Sequence, residues 1–197
     1  MTIEILENNQ EFDYMLFKSN YIADNLNEIL QHTDVLAKTL QQKLESASSN
    51  VTWLYKEYNV FAYASGSSAY FSIYRDLIKC IDVFCEEYQV PTHNLWMRNW
   101  LNFHNYDEVL ELHGHEVMNH GYVSIEPQST ETIFVDGYGI EKYKIVNQPG
   151  QIYLGPGRRN HYVKNLQPYS NKRITLGLDL ENTIVPGINL GCMPVIV

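Results

Sequence analysis

Between Asn20 and Glu45, Ile22, Leu26, Ile29, Leu30, Leu36, Leu40 and Leu44 recur about three or four positions apart, with Asn, Gln, Lys and Glu between them. That spacing gathers apolar side chains on one side of the chain and predicts an amphipathic helix. Ser46 to Asn50 interrupts the pattern, and the aromatic, β-branched segment 51–65 reads as irregular chain or a short strand. Beyond Ser65-Gly66-Ser67-Ser68 a second helical pattern runs through Tyr70, Phe71, Tyr74, Leu77, Ile78, Ile81, Phe84, Cys85 and Tyr88, with Arg75, Asp76, Lys79 and Glu86 on the other side. Its apolar stripe is wide, which suits a helix laid on a sheet.

After Pro91 the period changes to short β-type runs separated by turn residues. The runs 95–103, 108–112, 121–127, 131–136, 143–147, 150–155, 161–165 and 173–180 predict strands. Turn chemistry stands between them at Asp136-Gly137, Asn147 to Gly150, Gly155-Pro156-Gly157 and Pro168 to Asn171. Short strands in this number imply two facing sheets, as a sandwich, jelly roll or small barrel. The expected fold class is α+β in one domain over 1–197, a mainly helical part over 1–90 buttressing a β core over 91–197.

Composition narrows the function. With 197 residues, 45% hydrophobic and 19% charged, the chain can bury one core and is neither disordered nor fibrous. Its 15 tyrosines fit β-structure or a ligand-lining surface. Lys and Arg number 14 against 23 Asp and Glu, a formal charge of −9 that repels phosphate backbones and anionic membranes. Nucleic acid and membrane are therefore not expected partners. Cys80, Cys85 and Cys192 form no CxxC or zinc-knuckle spacing and read as buried free thiols of a reducing compartment. Without a basic, apolar leader or a long apolar stretch, the expected location is the cytoplasm.

The histidines carry the candidate chemistry. Five of the seven lie between His93 and His120, and His113-Gly114-His115 closes the run 108–112. Residues two apart on a strand share a face, so both imidazoles converge, and His161 on a later strand can supply a third ligand. Such a set leaves positions open for substrate and oxygen; exposed histidines on a turn are the alternative. Twelve residues after His161 stands Arg173, at the start of a strand whose Ile174, Leu176 and Leu178 read as buried. Its guanidinium keeps its charge and needs a carboxylate, either a ligand's or a structural one from Glu126 or Asp179. Tyr122, Tyr153 and Thr175 either hydrogen-bond that carboxylate or simply pack. Asn102 and His104 reach toward the same mouth; Trp53, Trp96 and Trp100 read as core. Arg158 and Arg159 either meet an acidic substrate or are solvated.

Together the His-x-His pair, the distal His161 and Arg173 resemble the iron(II) and 2-oxoglutarate-dependent oxygenases. Segments 100–127, 150–163 and 173–180 are similar to oxygenase-like proteins encoded by tailed bacteriophages, and the likeness covers roughly 68 to 180. The resemblance implies a double-stranded β-helix (jelly-roll, cupin-like) core, Fe(II) on His113, His115 and His161, and 2-oxoglutarate clamped by Arg173 with Tyr122, Tyr153 and Thr175. It further implies hydroxylation of a small-molecule or peptide substrate in the host cytoplasm. At position 115 that family usually carries Asp or Glu, so His115 removes one negative charge; Glu111 and Asp107 are alternative anionic ligands and His120 an alternative imidazole. The segment 150–165 also follows the second cupin motif at Gly150, Pro156, His161 and Asn165, and His113-x-His115 matches the first. A metal-binding cupin without 2-oxoglutarate is thus a rival, and a non-catalytic jelly-roll binding or virion-associated module a third reading. The apolar tail 188–197 either covers a partner in an oligomer or closes its own barrel.

Overall fold

The computed structural model describes residues 3–43, 58–108, 110–183 and 191–196. The expected helix end at Leu44 and Glu45, the break at 46–50, Trp53 and the tail segment 184–190 lie outside them.

The chain opens with an antiparallel hairpin, β1 (Ile3–Asn9) and β2 (Tyr14–Ser19), which the hydrophobic pattern did not announce. β1 is a largely exposed edge, and most of β2 is buried on both faces, so neither alternates cleanly. The predicted first helix is divided into α1 (Asn20–Asp24) and α2 (Leu26–Lys43). At the division the Asn25 side chain and backbone N–H both donate to the Tyr21 carbonyl, at 2.8 and 3.0 Å. One helical turn, α3 (Val60–Tyr63), stands where irregular chain or a short strand was expected; the Asn59 side chain accepts from the Phe61 and Ala62 amides at its start. The second predicted helix is α4 (Ser68–Glu87), capped by Ser67.

Seven of the eight predicted strands form: β3 (Trp96–His104), β4 (Asn119–Glu126), β5 (Thr130–Val135), β6 (Glu141–Val146), β7 (Gln151–Pro156), β8 (Asn160–Asn165) and β9 (Arg173–Glu181). A short β10 (Cys192–Pro194) pairs with β3, so this part of the tail closes its own sheet. All pairings are antiparallel, in a large sheet ordered β1-β2-β7-β4-β9-β3-β10 and a small one ordered β6-β5-β8. Strands remote in sequence lie side by side, as in a jelly-roll, cupin-like double-stranded β-helix.

Alternation assigns the two faces of the large sheet. In β9, Ile174, Leu176, Leu178 and Leu180 join Val123, Ile152 and Leu154 against Leu40, Ile73, Leu77 and Phe84 of the helices. Full burial of each such side chain is worth about 1.5 to 3 kcal/mol. The intervening Arg173, Thr175, Gly177 and Asp179 face the small sheet. Part of the space between the sheets is filled by Tyr14, Leu16, Tyr122, Phe134, Ile145 and Tyr153; another part is open as a cleft.

The run 108–112 is not a regular strand. Val163 N–H donates to the Leu110 carbonyl at 3.3 Å, and His113 and His161 exchange backbone bonds of 3.1 and 2.8 Å. Three steps on this segment therefore face two on β8, and such a mismatch bends a strand and breaks its alternation. Val109 itself lies outside the described residues. His115 falls beyond the last pairing, its N–H held by the Gly157 carbonyl at 3.0 Å. His113 and His115 therefore sit where this segment leaves regular strand pairing.

Candidate metal centre

His113 and His115 on the bent segment meet His161 on β8, with donor nitrogens all within 4.8 Å of one another. In each ring Nδ1 is already occupied. His113 Nδ1 lies 2.8 Å from the Glu111 carbonyl oxygen, His161 Nδ1 lies 3.1 Å from the Arg159 carbonyl oxygen, and His115 Nδ1 lies 2.8 Å from Asp179 Oδ1. For His113 and His161 that carbonyl acceptor fixes the tautomer with the proton on Nδ1 and leaves the Nε2 lone pair free, while His115 meets Asp179 in a charge contact rather than an aligned hydrogen bond. Burial favours the neutral form of two of the rings: it lowers the pKa of His113, and it pushes that of His161 down to about 3, with the neighbouring imidazoles adding to the effect. Three imidazoles with converging donor atoms form a set that suits a divalent transition metal.

Asp179 was foreseen only as a partner for Arg173. Its carboxylate is wholly buried, with Oδ2 also 3.8 Å from Arg98 Nη1, while Arg98 Nη2 lies 3.4 Å from Glu181 Oε1. The sequence signal was there: Asp179 shares the inward face of β9 with Arg173, Thr175 and Gly177. Trp100 lies against His115, ring centroids 5.9 Å apart, and donates to Asn102 Oδ1 at 3.1 Å; Asn102 in turn donates to Thr175 Oγ1 at 3.2 Å.

The histidines and Arg173 line one cleft of about 590 Å³. Arg173 is 4% exposed and donates from Nη1 to His104 Nδ1 at 3.2 Å, across the β3–β9 register. Its Nε has no partner, and no carboxylate among the described residues pairs with it: Asp179 serves His115 and Arg98 instead. Burial pushes the guanidinium down to about 10, and burial together with the Arg173 charge pushes His104 down to about 3.

The remaining candidates separate. Tyr122 and Thr175 line the cleft, and the Tyr122 hydroxyl donates to Asn147 Oδ1 at 3.1 Å. Tyr153 lies outside the lining, its hydroxyl 2.9 Å from that of Tyr143. Glu111 is exposed and lends His113 its backbone carbonyl; Asp107 is exposed on a turn, and neither joins the ligand cluster. His120 is buried at the cleft, where burial holds its pKa well below the ordinary value. Arg158 is exposed, whereas Arg159 donates to the Phe12 carbonyl at 3.3 Å and lies over the Phe12 and Tyr143 rings. Trp100 belongs to the cleft wall as well as the core, and Trp96 is half-buried. All three cysteines are free thiols; Cys80 and Cys85 are buried, and Cys192 is half-buried. Among the described residues no helix is long and apolar enough to cross a membrane.

No protein-family model matches the chain, and no curated protein matches it. Solved structures do. The non-heme alpha-ketoglutarate-dependent carbocyclase SnoK from nogalamycin biosynthesis superposes with a TM-score of 0.58 at 8% identity, over 87% of this chain and 80% of that one. A Pseudomonas putida prolyl-4-hydroxylase gives 0.53 at 9% identity, over 86% and 88%. Bacillus subtilis oxalate decarboxylase matches 56% of the chain at 14% identity with a TM-score of 0.38, and the chain spans about a quarter (26%) of its length. What the first two share with this chain is the fold, a double-stranded β-helix.

Proposed function

We propose that this chain is an Fe(II)- and 2-oxoglutarate-dependent oxygenase. The observation that carries the reading is Arg173: a buried guanidinium with no carboxylate of the described residues paired to it, in the same cleft as three imidazoles with converging donor atoms. His113, His115 and His161 would hold the metal, and the Asp179 carboxylate, 2.8 Å from His115 Nδ1, would orient that ring. Arg173 would bind the far carboxylate of 2-oxoglutarate, a charge-assisted contact worth about 1.5 to 3 kcal/mol. Tyr122 and Thr175 line the same cleft, as do Trp100 and Leu110 beside the histidines. Iron(II) bound there supplies oxidation of a substrate C–H bond by oxygen, coupled to conversion of 2-oxoglutarate to succinate and carbon dioxide. The substrate is a small molecule or peptide, and the cytoplasm, of a host cell if the chain is phage-encoded, is the proposed setting.

The test is anaerobic absorption of the protein with Fe(II), before and after adding 2-oxoglutarate. A weak visible charge-transfer band, lost in Arg173→Ala and His161→Ala, is expected. Iron binding without a band favours the second reading, a cupin-type centre without keto acid, which the all-imidazole donor set and the adjacent His120 support. Failure to bind iron at all removes both and leaves a non-catalytic binding module.

A further inference from the structure

The single side-chain hydrogen bond that Arg173 makes among the described residues goes to its register partner on β3, His104, with Nη1 3.2 Å from Nδ1. A guanidinium can only donate, so Nδ1 is the acceptor and the proton of the neutral ring sits on Nε2. The imidazole is 1% exposed, and burial together with the Arg173 charge pushes its pKa down to about 3. His104 is therefore an uncharged acceptor at neutral pH.

This contact differs from ordinary packing in what it leaves unpaired. His104 Nε2 is buried without a partner, so the bond to Arg173 is the ring's only side-chain hydrogen bond among the described residues. Arg173 Nε is unpartnered as well. The titratable groups whose charge would bear on Arg173 are Tyr122 and Tyr169, phenols that burial keeps in their neutral form. An acid at position 104 would meet the guanidinium without leaving a buried donor unsatisfied. The imidazole instead orients the guanidinium and takes none of its charge, in a residue that lines the cleft.

We infer that His104 is a positioning residue for the keto acid: it holds Arg173 through a neutral acceptor and so keeps the guanidinium's charge for a ligand's carboxylate. The inference rests on the 2-oxoglutarate reading and deepens it. A carboxylate in place of the imidazole would stay ionised beside Arg173 and pair with it inside the protein. The far carboxylate of 2-oxoglutarate would then meet a neutralised partner, and the cleft would lose its means of telling a dicarboxylate from a monocarboxylate.

The test compares two substitutions of nearly equal shape. In His104→Asn, Oδ1 takes the place of Nδ1 and accepts without charge; in His104→Asp a carboxylate oxygen stands there. Each Zn(II)-loaded protein is titrated calorimetrically with 2-oxoglutarate and with pyruvate. The wild type should prefer 2-oxoglutarate by at least about tenfold, His104→Asn should keep that preference to within about twofold, and His104→Asp should bind the two acids within about twofold of each other. Pyruvate affinity should be alike in all three, since pyruvate makes no use of Arg173. A packing role would treat the two variants alike. An undiminished preference in His104→Asp, an equal loss in both variants, or a fall in pyruvate affinity matching that for 2-oxoglutarate would overturn the inference. Equal binding of the two acids by the wild type would instead remove the 2-oxoglutarate reading beneath it. Should either variant fail to fold, the wild-type protein labelled with ¹⁵N-histidine decides: at neutral pH His104 should be protonated on Nε2 alone, and an imidazolium or an Nδ1-protonated ring would overturn the inference.

Discussion

Replacing Arg173 by methionine should make the ligand-free protein more stable. The guanidinium is buried with one contact, to His104, and its pKa falls from an ordinary value of about 12.5 to about 10. At neutral pH it is protonated in both folded and unfolded chains, so the shift measures what burial of the charge costs the native state. At about 1.4 kcal/mol per pKa unit that is on the order of 3 kcal/mol. Methionine retains most of the apolar stem, and losing the bond to His104 gives back about 1 kcal/mol. The net expectation is a gain of roughly 1 to 2 kcal/mol, or roughly 2 to 8 °C in Tm for a chain of this length. Urea denaturation followed by circular dichroism, without ligand, measures it. In a second arm, 2-oxoglutarate with Zn(II) should raise the wild-type midpoint above that with Zn(II) alone, and should do so much less in the variant. A loss of about 3 to 5 kcal/mol, as when one partner of a buried ion pair is removed, would mean that Arg173 has a structural carboxylate. The argument for a ligand carboxylate would then fall.

Other expectations are as direct. His104 and His161 titrate near 3 when folded, against about 6.5 when unfolded, so the unfolded chain binds more protons between those values. Stability of the apo protein should therefore be complete above pH 6.5 and decline as pH falls toward 3, by on the order of 2 kcal/mol per imidazole at pH 5; a urea midpoint unchanged between pH 7.5 and 5 would contradict this. Asp179→Asn should weaken Zn(II) affinity about 10- to 100-fold in a chelator competition while still binding one ion, and equal affinity would deny Asp179 any hold on His115. In Gly177→Ala the new Cβ would stand 2.6 Å from Trp100 ring carbons and push the indole off His115. A loss of about 1 to 3 kcal/mol with altered tryptophan fluorescence is expected, and an unchanged melt and spectrum would count against the packing described.

The strands were legible wherever one face meets the helices and the other the cleft. Arg173, Thr175, Gly177 and Asp179 alternate with Ile174, Leu176, Leu178 and Leu180, and that alternation announces both strand and orientation. The β1–β2 hairpin was not legible, because an exposed edge and a doubly buried strand carry no such contrast. Nor was the bend at 110–113, which depends on a two-residue pairing with β8 that only the assembled sheet supplies. The spacing of His113, His115 and His161 made them candidate ligands, and the carbonyls beside the Nδ1 atoms of His113 and His161 are local, two residues back, but the charges around the site come from neighbours remote in sequence. Asp179 reaches His115 because β9 lies beside β4, and Arg173 reaches His104 because β9 pairs with β3 in register. No local pattern encodes either contact.

The charges of the cleft lead to a last prediction, about which keto acid fits. A carboxylate at position 115 would have given a bound metal its anion directly; here Asp179 stands one imidazole away and shares its charge with Arg98. A divalent ion on imidazole ligands therefore keeps most of its positive charge, and Arg173 adds another in the same cleft. A dianion with its charges apart satisfies both, whereas a monocarboxylic keto acid such as pyruvate leaves the guanidinium as unpaired as it is without ligand. 2-Oxoglutarate should bind the metal-loaded protein at least about tenfold more tightly than pyruvate, since a charge-assisted contact of about 1.5 to 3 kcal/mol is at stake. The same comparison in Arg173→Met should shrink to within about threefold, because the group that distinguishes the two acids is gone. Calorimetric titration of Zn(II)-loaded protein with each acid supplies the four affinities. Equal binding of the two acids by the wild type, or an undiminished preference in the variant, would show that the dicarboxylate is not read by Arg173.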